Sequence, residues 1–289
     1  MEVKLYKCTA AKEPTIKGGL LKAGASFPNV FMDAERLVNK TVEAYPDTSD
    51  EIIALPLCNT LLAEAFGAEV NLGSDSMDPF VESYKYDDMS EFPMDIDEIT
   101  TERIEIIVEA AKTLADKGYR VSFNLDGPIT IIGSVVDPMV LFKSFRKDPD
   151  TLKKTIDYVS DLVIKFGRRI AETGISILSY SDSSGTADLI GPKLFDKFCT
   201  EPNLRILKAF RDAAEGKKMI VHICGKSTFG LYNAGKIEMI PHDTDFPTYK
   251  DAILDIIDNQ TFKILGNSCL GKLNLKPFNS QVFEVKVVE

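Results

Sequence analysis

The sequence lacks tryptophan altogether, has only two histidines, and carries less positive than negative charge. Its 289 residues hold 34 Lys and Arg against 44 Asp and Glu, which gives a net charge of −10 at pH 7. Such an acidic surface repels phosphate backbones and anionic lipids, so we expect neither nucleic acid nor a membrane surface as a partner. No apolar run approaches the roughly 20 residues that cross a bilayer, and residues 1–19 show no apolar signal-peptide core. These absences predict a cytoplasmic protein.

Cysteine is scarce as well, with five residues in the chain. In a reducing cytoplasm, cysteines serve as thiols or metal ligands more often than as a disulfide framework. The rest of the composition, 44% hydrophobic and 27% charged, is that of an ordinary soluble enzyme. A chain of this length can bury a sizeable core.

Short apolar runs alternate with longer helical patterns along the chain. The candidate strands are Glu51–Leu55, Ala68–Leu72, Arg120–Leu125, Ile175–Tyr180, Lys218–Ile223, Ile237–Pro241, Phe262–Gly266 and Val282–Val288. The candidate helices are Asp33–Ala44, Thr101–Lys117, a long helix between Asp148 and Gly174, Asn203–Ala214 and Thr248–Asp258. This alternation predicts an α/β fold with a parallel sheet. The number of strands favours a (β/α)8 TIM-type barrel slightly over a doubly wound sheet.

The end of the chain departs from a regular barrel. Residues Gly271–Gln281 are too few, and too marked by Pro and Asn, to hold a full helix between the last two strands. We therefore expect an abbreviated last unit. Because no linker separates two domains, we expect a single barrel domain over residues 1–289, with an N-terminal extension and helices in 1–50 and the barrel in 51–289.

Polar side chains cluster where the predicted strands end. In a parallel barrel these ends lie at one face, and functional groups collect there. We expect four of these residues to contact a substrate: Asn124, Asp126, Tyr180 and Asn267.

The pair His222-x-Cys224 is the sharpest single signal. Alternate residues of a strand point to the same face, so the two side chains can converge on one ion at the strand end. Imidazole and thiolate together suit Zn²⁺. The alternative is a buried histidine with satisfied hydrogen bonds beside a core cysteine, since a free cysteine is often simply a small hydrophobe.

A catalytic zinc ion needs three protein ligands and one open position. Cys269, which follows the seventh predicted strand, is the best third candidate, and His242, Asp243 and Asp245 remain alternatives. The other cysteines have weaker cases: Cys8, Cys58 and Cys199.

Two carboxylates, Asp182 and Asp243, directly follow apolar strands. Either would orient a ligand imidazole or contact the substrate in a catalytic role. Carboxylates at such positions are also ordinary helix N-caps, and the sequence leaves both readings open.

Several blocks of the chain, taken in order, resemble the uroporphyrinogen decarboxylase superfamily over roughly residues 50–270. The resemblance implies a TIM-type barrel and rests on the order and spacing of the blocks together. The blocks are Asp126–Gly133 (DGPITIIG), Lys147–Asp150 (KDPD), Ile175–Gly185 followed by Leu189–Phe195, His222–Gly225 (HICG), and Gly266-Asn267.

Two branches of that superfamily imply different chemistry. The decarboxylases bind a substrate with eight carboxylates through arginines near the N-terminus, whereas the matching segment here, Leu21–Phe31, contains no arginine. Lacking those arginines, a chain with this net charge would bind such an anion poorly. The other branch, the zinc-dependent corrinoid-linked methyltransferases, has H-x-C plus a later cysteine. By that resemblance His222, Cys224 and Cys269 are the zinc ligands, although Cys269 follows the Gly-Asn block more closely than the family's third cysteine does.

The resemblance therefore implies a methyltransferase that moves a methyl group between a corrinoid on a partner protein and a small-molecule donor or acceptor such as a thiol. Zinc would hold a thiol as thiolate or act as a Lewis acid on a methyl donor. Two alternatives remain: a cofactor-free lyase of the decarboxylase type, and a non-catalytic barrel subunit of a methyl-transfer complex.

Overall fold

The computed structural model of the protein describes residues 16–49 and 51–288. Its strands are β1 Ile52–Leu55, β2 Glu69–Asn71, β3 Phe80–Ser83, β4 Arg120–Asp126, β5 Ile177–Ser181, β6 Ile220–Cys224, β7 Ile237–Asp243, β8 Ile264–Ser268 and β9 Gln281–Val287. Its α-helices are α1 Ile16–Lys22, α2 Ala34–Ala44, α3 Glu102–Asp116, α4 Pro128–Val135, α5 Pro138–Lys147, α6 Pro149–Ala171, α7 Ala187–Ile190, α8 Pro192–Phe198, α9 Thr200–Ala214, α10 Gly225–Asn233 and α11 Tyr249–Asn259. Short 3-10 helices complete the element order.

Helices α3 and α6 begin at N-cap side chains that the sequence supplies. The Thr101 hydroxyl accepts a hydrogen bond from Ile104 N at the start of α3, and the Asp148 carboxylate accepts one from Thr151 N at the start of α6. Pro149 occupies the first turn of α6, where its missing N–H costs nothing. The long helix predicted between Asp148 and Gly174 is confirmed as α6.

The main sheet is mostly parallel, with strand order β1-β4-β5-β6-β8-β9-β7. The five adjacent strands β1, β4, β5, β6 and β8 run parallel to one another. Strand β9 runs antiparallel to both of its neighbours, β8 and β7. The α/β class with a parallel sheet is thus confirmed. Within the described part of the chain no backbone pairing joins β1 to β7, and closure into a barrel with an abbreviated last unit stays a prediction.

Two strands lie elsewhere than a regular barrel would place them. The predicted strand Ala68–Leu72 forms β2, which pairs with β3 in a separate antiparallel sheet. At the other end, β9 enters between β8 and β7. Two 3-10 helices, and no α-helix, connect β8 to β9. A parallel crossover usually runs through a helix, so a connection that lacks an α-helix favours the antiparallel return.

Helices cover both faces of the sheet. The larger core contains alternate strand residues such as Val121, Leu178 and Ile223, together with apolar residues of α1 to α3, α6 and α9. The smaller core joins Ile177 and Ile220 to α11. Because side chains alternate along a strand, this second face, the α11 face, also carries the polar residues at the strand ends. The helices of residues 16–49 share the larger core with the sheet.

Candidate functional site

Two rows of polar residues cross the carboxyl end of the sheet on the α11 face. In the first row, Asn124 of β4 pairs with Ser179 of β5, which pairs with His222 of β6. One step further along the strands, Asp126 pairs with Ser181. The same alternation assigns Cys224 to this second row. Strand pairing thus brings together four residues of the predicted site, Asn124, Asp126, His222 and Cys224.

His222 is buried, with 2% of its surface exposed, and both ring nitrogens have partners. Nδ1 lies 3.0 Å from the Ser179 hydroxyl, and Nε2 lies 3.3 Å from the Ser268 carbonyl oxygen. Burial lowers the pKa of His222 to about 4, against the smaller opposing effect of the Ser268 carbonyl. The imidazole is therefore neutral at pH 7, which is the state that a metal ligand requires.

The two candidate thiols lie at the ends of neighbouring strands. Cys224 ends β6 and is paired with Ser268 of β8, and Cys269 follows Ser268 directly. The pairing contains an irregularity, because one extra β8 residue lies between the partners of His222 and Cys224. Asn267 lies in this bulge with φ +63, and its N–H donates to the Thr228 hydroxyl at 3.2 Å. The bulge thus sets where Ser268 and Cys269 lie relative to β6.

The donor set fits zinc in its chemistry. One neutral imidazole and two partly buried thiols at adjacent strand ends are ligand types that zinc prefers. The side chains are not gathered into a ligand cage: within residues 16–49 and 51–288, no three His, Cys, Asp or Glu side chains form a group that would hold a metal ion. The Cys269 sulfur instead accepts a hydrogen bond from Gly271 N at 3.4 Å.

Asp126 ends β4 and Asp182 directly follows the neighbouring strand β5, but the two have different surroundings. Asp182 is 1% exposed, and its carboxylate accepts hydrogen bonds from Ile129 N, Thr130 N and the Thr130 hydroxyl. Asp126 is partly buried, and its side chain makes no hydrogen bond in the part of the chain that the structure describes. Burial, followed by the neighbouring Asp182 charge, raises the pKa of Asp126 to about 8.

Asp182 shapes the turn that follows β4. Its carboxylate receives the first N–H groups of α4, so it caps a helix from another strand-loop unit. Burial raises the pKa of Asp182, and its hydrogen bonds to Thr130 and Ile129 oppose that shift. A Cβ on Gly127 would lie 2.4 Å from the Asp182 Cβ, so the close approach requires glycine here. Asp182 therefore fixes the start of α4, directly after the turn that follows Asp126.

Tyr180 faces the other side of the sheet from His222. It is fully buried, its ring contacts Phe210 of α9, and its hydroxyl has no hydrogen-bond partner among the described residues. Burial raises the pKa of Tyr180 well above its ordinary value. Strand alternation thus separates Tyr180 from the polar rows in which the predicted substrate residues Asn124 and Asp126 lie.

The candidate residues at the end of β7 and just beyond it lie away from His222, because β8 and β9 separate β7 from β6. At a strand spacing near 4.8 Å this is about 14 Å. His242 contacts Glu284 at 3.2 Å and stacks on Phe262, while the exposed Asp243 accepts a hydrogen bond from Gln281 at 2.9 Å. Asp245 is exposed. The structure does not bring these three residues to the His222–Cys224 pair.

The remaining cysteines have separate surroundings. Cys8 lies outside the described residues. Cys199 is buried in the helical region before α9, where burial raises the pKa of its thiol. Cys58 follows β1, and its sulfur accepts a hydrogen bond from the buried Arg103 at 3.6 Å.

The sequence-based prediction missed Ser179, Thr130 and Thr228, whose hydroxyls contact His222, Asp182 and the Asn267 N–H. Alternation along β5 would have placed Ser179 on the face opposite to Tyr180. The identity of its neighbour depends on which strands pair and in which register, and no local pattern carries that information.

The protein belongs to the uroporphyrinogen decarboxylase (URO-D) family, whose characteristic sequence pattern matches residues 17–267. Among curated relatives, methylcobamide:CoM methyltransferase MtaA of Methanosarcina barkeri (strain Fusaro / DSM 804) is 26% identical over 211 residues, covering 71% of this chain and 60% of MtaA. Methylcobamide:CoM methyltransferase MtbA of Methanosarcina acetivorans is 23% identical over 219 residues, covering 72% of this chain and 62% of MtbA. The chain therefore spans about three-fifths of these relatives.

A solved structure supports the same fold. A methyltransferase from Methanosarcina mazei superimposes with a TM-score of 0.65 at 22% identity, covering 81% of this chain and 69% of that one. No helix in the described ranges has the length and apolar character needed to cross a membrane.

Proposed function

We propose that this protein is a zinc-dependent methyltransferase that moves a methyl group between a corrinoid on a partner protein and a small molecule such as a thiol. One observation carries the proposal: His222 and Cys224 end β6 on one face, beside the strand whose end leads into Cys269. The names of the relatives, methylcobamide:CoM methyltransferases, support the reaction class. The cytoplasmic location expected from the composition is part of this proposal.

His222, Cys224 and Cys269 are the residues that would hold zinc. At the sheet edge the ion would keep a bound thiol as thiolate or act as a Lewis acid on a methyl donor. His222 would bind as the neutral imidazole that its low pKa provides. Burial around the strand ends restricts water near these groups and strengthens their electrostatic interactions.

Asp126 and Asn124 would orient the substrate. Below pH 8 the Asp126 side chain is largely a neutral acid, so it can donate a hydrogen bond to an oxygen, nitrogen or sulfur atom of the substrate. The Asn124 amide lies one step earlier along the same strand face. Asp182 contributes indirectly, by fixing the turn that begins at Gly127.

Metal analysis of the purified protein tests the zinc site. We expect about one zinc per chain in the wild type and loss of that zinc in His222→Ala and in Cys224→Ala, because two remaining ligands hold the ion poorly. Cys269→Ala should lower zinc affinity if Cys269 is the third ligand. His242→Ala is the matched control, since His242 lies away from β6 and should leave the zinc content unchanged.

Full zinc occupancy in His222→Ala would overturn this ligand assignment. A wild-type protein that binds no added zinc, yet keeps its fold, would instead favour a metal-free lyase or a non-catalytic subunit. A porphyrinogen turnover assay separates those two alternatives.

A further inference from the structure

The hydrogen bonds of His222 define which ring nitrogen carries its proton. The Ser268 carbonyl oxygen, 3.3 Å from Nε2, can only accept a hydrogen bond, so Nε2 carries the proton and donates. Nδ1 is then the bare nitrogen. The Ser179 hydroxyl, 3.0 Å away, must therefore donate to it. In this tautomer neither nitrogen offers a lone pair to a metal ion.

The direction of each nitrogen indicates which one would bind zinc. Nδ1 faces Ser179 of β5, a strand that ends without a cysteine. Nε2 faces the backbone of Ser268, the residue that pairs with Cys224 and precedes Cys269. Cys269 thus follows the residue that Nε2 faces and Cys224 is the pairing partner of that residue, whereas no cysteine adjoins Ser179. Binding through Nε2 requires Nε2 to lose its proton and Nδ1 to gain one, with no net change in the charge of the ring.

We propose that Ser179 is the positioning residue of His222: its hydroxyl donates to Nδ1 while Nε2–H is bonded to Ser268, and accepts from Nδ1–H once Nε2 binds zinc. A hydroxyl can take both roles by rotating about its C–O bond, which a carboxylate or a backbone carbonyl cannot. This inference rests on the zinc site of the proposed function.

The surroundings of Ser179 make its role hard to replace. Ser179 is 7% exposed and His222 is 2% exposed, so bulk water does not readily substitute for the lost hydroxyl. The two residues are direct partners in the parallel pairing of β5 with β6, which fixes their separation through the backbone. Hydrogen-bond partners of this kind around a ligand histidine typically change metal affinity by about 10- to 100-fold when removed.

Zinc titration against a competing chelator tests the proposal on the whole chain. We expect Ser179→Ala to weaken zinc binding by about 10- to 100-fold, and Ser179→Thr to restore it because threonine keeps the hydroxyl and suits a strand. Ser181→Ala is the matched control. It lies on the same strand face, and its hydroxyl makes no hydrogen bond within residues 16–49 and 51–288. Wild-type affinity in Ser179→Ala would overturn the proposal.

Nitrogen-15 NMR of the His222 imidazole reports directly which of its two ring nitrogens carries the proton. Metal-free wild type should show the Nε2–H tautomer, and the zinc-loaded protein the Nδ1–H tautomer. An Nδ1–H tautomer in the metal-free protein would contradict the proposal, even if Ser179→Ala failed to fold. If the wild type binds no zinc, the proposed function and this inference fail together; if it binds zinc and Ser179→Ala binds equally, only this inference fails.

Discussion

Asp126 and Asp182 show how two identical side chains on neighbouring strands acquire different roles. Asp182 accepts three hydrogen bonds from the start of α4. Asp126 receives none from the described residues, lies beside that buried carboxyl group, and has its pKa raised to about 8. Burial raises the pKa of both carboxyl groups, but hydrogen bonds oppose that shift in Asp182, whereas the nearby Asp182 charge adds to it in Asp126. The sequence alone marks both simply as strand-end carboxylates.

The raised pKa of Asp126 predicts a pH dependence of stability. An unfolded Asp ionises near pH 3.9, whereas in the folded protein this carboxyl group keeps its proton up to about pH 8. Between these values the folded state binds more protons, so the Asp126 contribution to the free energy of unfolding decreases as pH rises and levels off above pH 8. Urea unfolding of Asp126→Asn at several pH values should lack this decrease. The exposed Asp243→Asn should retain it, and an identical pH profile for wild type and Asp126→Asn would contradict the pKa.

Helix α11 covers the apolar part of one sheet face. Ala252, Ile253, Ile256 and Ile257 form the apolar side of α11 and pack on Ile177 and Ile220 of the sheet. The same sheet face becomes polar toward its carboxyl end, where His222 and Cys224 lie. The helix therefore covers the amino-terminal half of the face, and the polar residues of the candidate site occupy the strand ends beyond it.

Truncation of Ile253 tests this packing. The side chain is fully buried, so Ile253→Ala should lower the free energy of unfolding by about 2–5 kcal/mol and Ile253→Val by about 0.5–1.5 kcal/mol. Chemical denaturation measures both values. Equal stability of wild type and Ile253→Ala would show that α11 does not pack on the sheet as described.

At the scale of the whole molecule, the candidate site depends on residues from distant parts of the chain. His222, Ser179 and Ser268 meet because β5, β6 and β8 are neighbours in the sheet. Any ion that binds the folded chain alone stabilises it, by about 2.7 kcal/mol when its free concentration is 100 times its dissociation constant. Zinc binding under the proposed function must therefore appear in global stability.

Thermal unfolding with and without added zinc checks this coupling. The melting temperature of the metal-free wild type should rise with zinc concentration, because the ion binds the folded state preferentially. The rise should be absent in His222→Ala and preserved in His242→Ala. A rise of equal size in His222→Ala would place the bound zinc at a different site.

Much of the architecture is readable from local patterns. The strands at Arg120–Asp126 and Ile237–Asp243 and the helix at Glu102–Asp116 match their predictions closely. Helices α4 and α10 escaped prediction because each begins immediately after a strand, at Gly127-Pro128 and Cys224-Gly225, and is too short for a clear period. Their existence depends on packing against the sheet.

The sequence by itself determined the parallel α/β class and the family resemblance, and it singled out His222-x-Cys224 as a candidate ligand pair, because period, spacing and residue chemistry are local properties. Only the tertiary structure decided that Ser179 contacts His222, that Asp182 caps α4, and that His242 lies two intervening strands away. The physical reason is that strand order and register follow from the burial of whole faces and the pairing of backbone groups far apart in the chain.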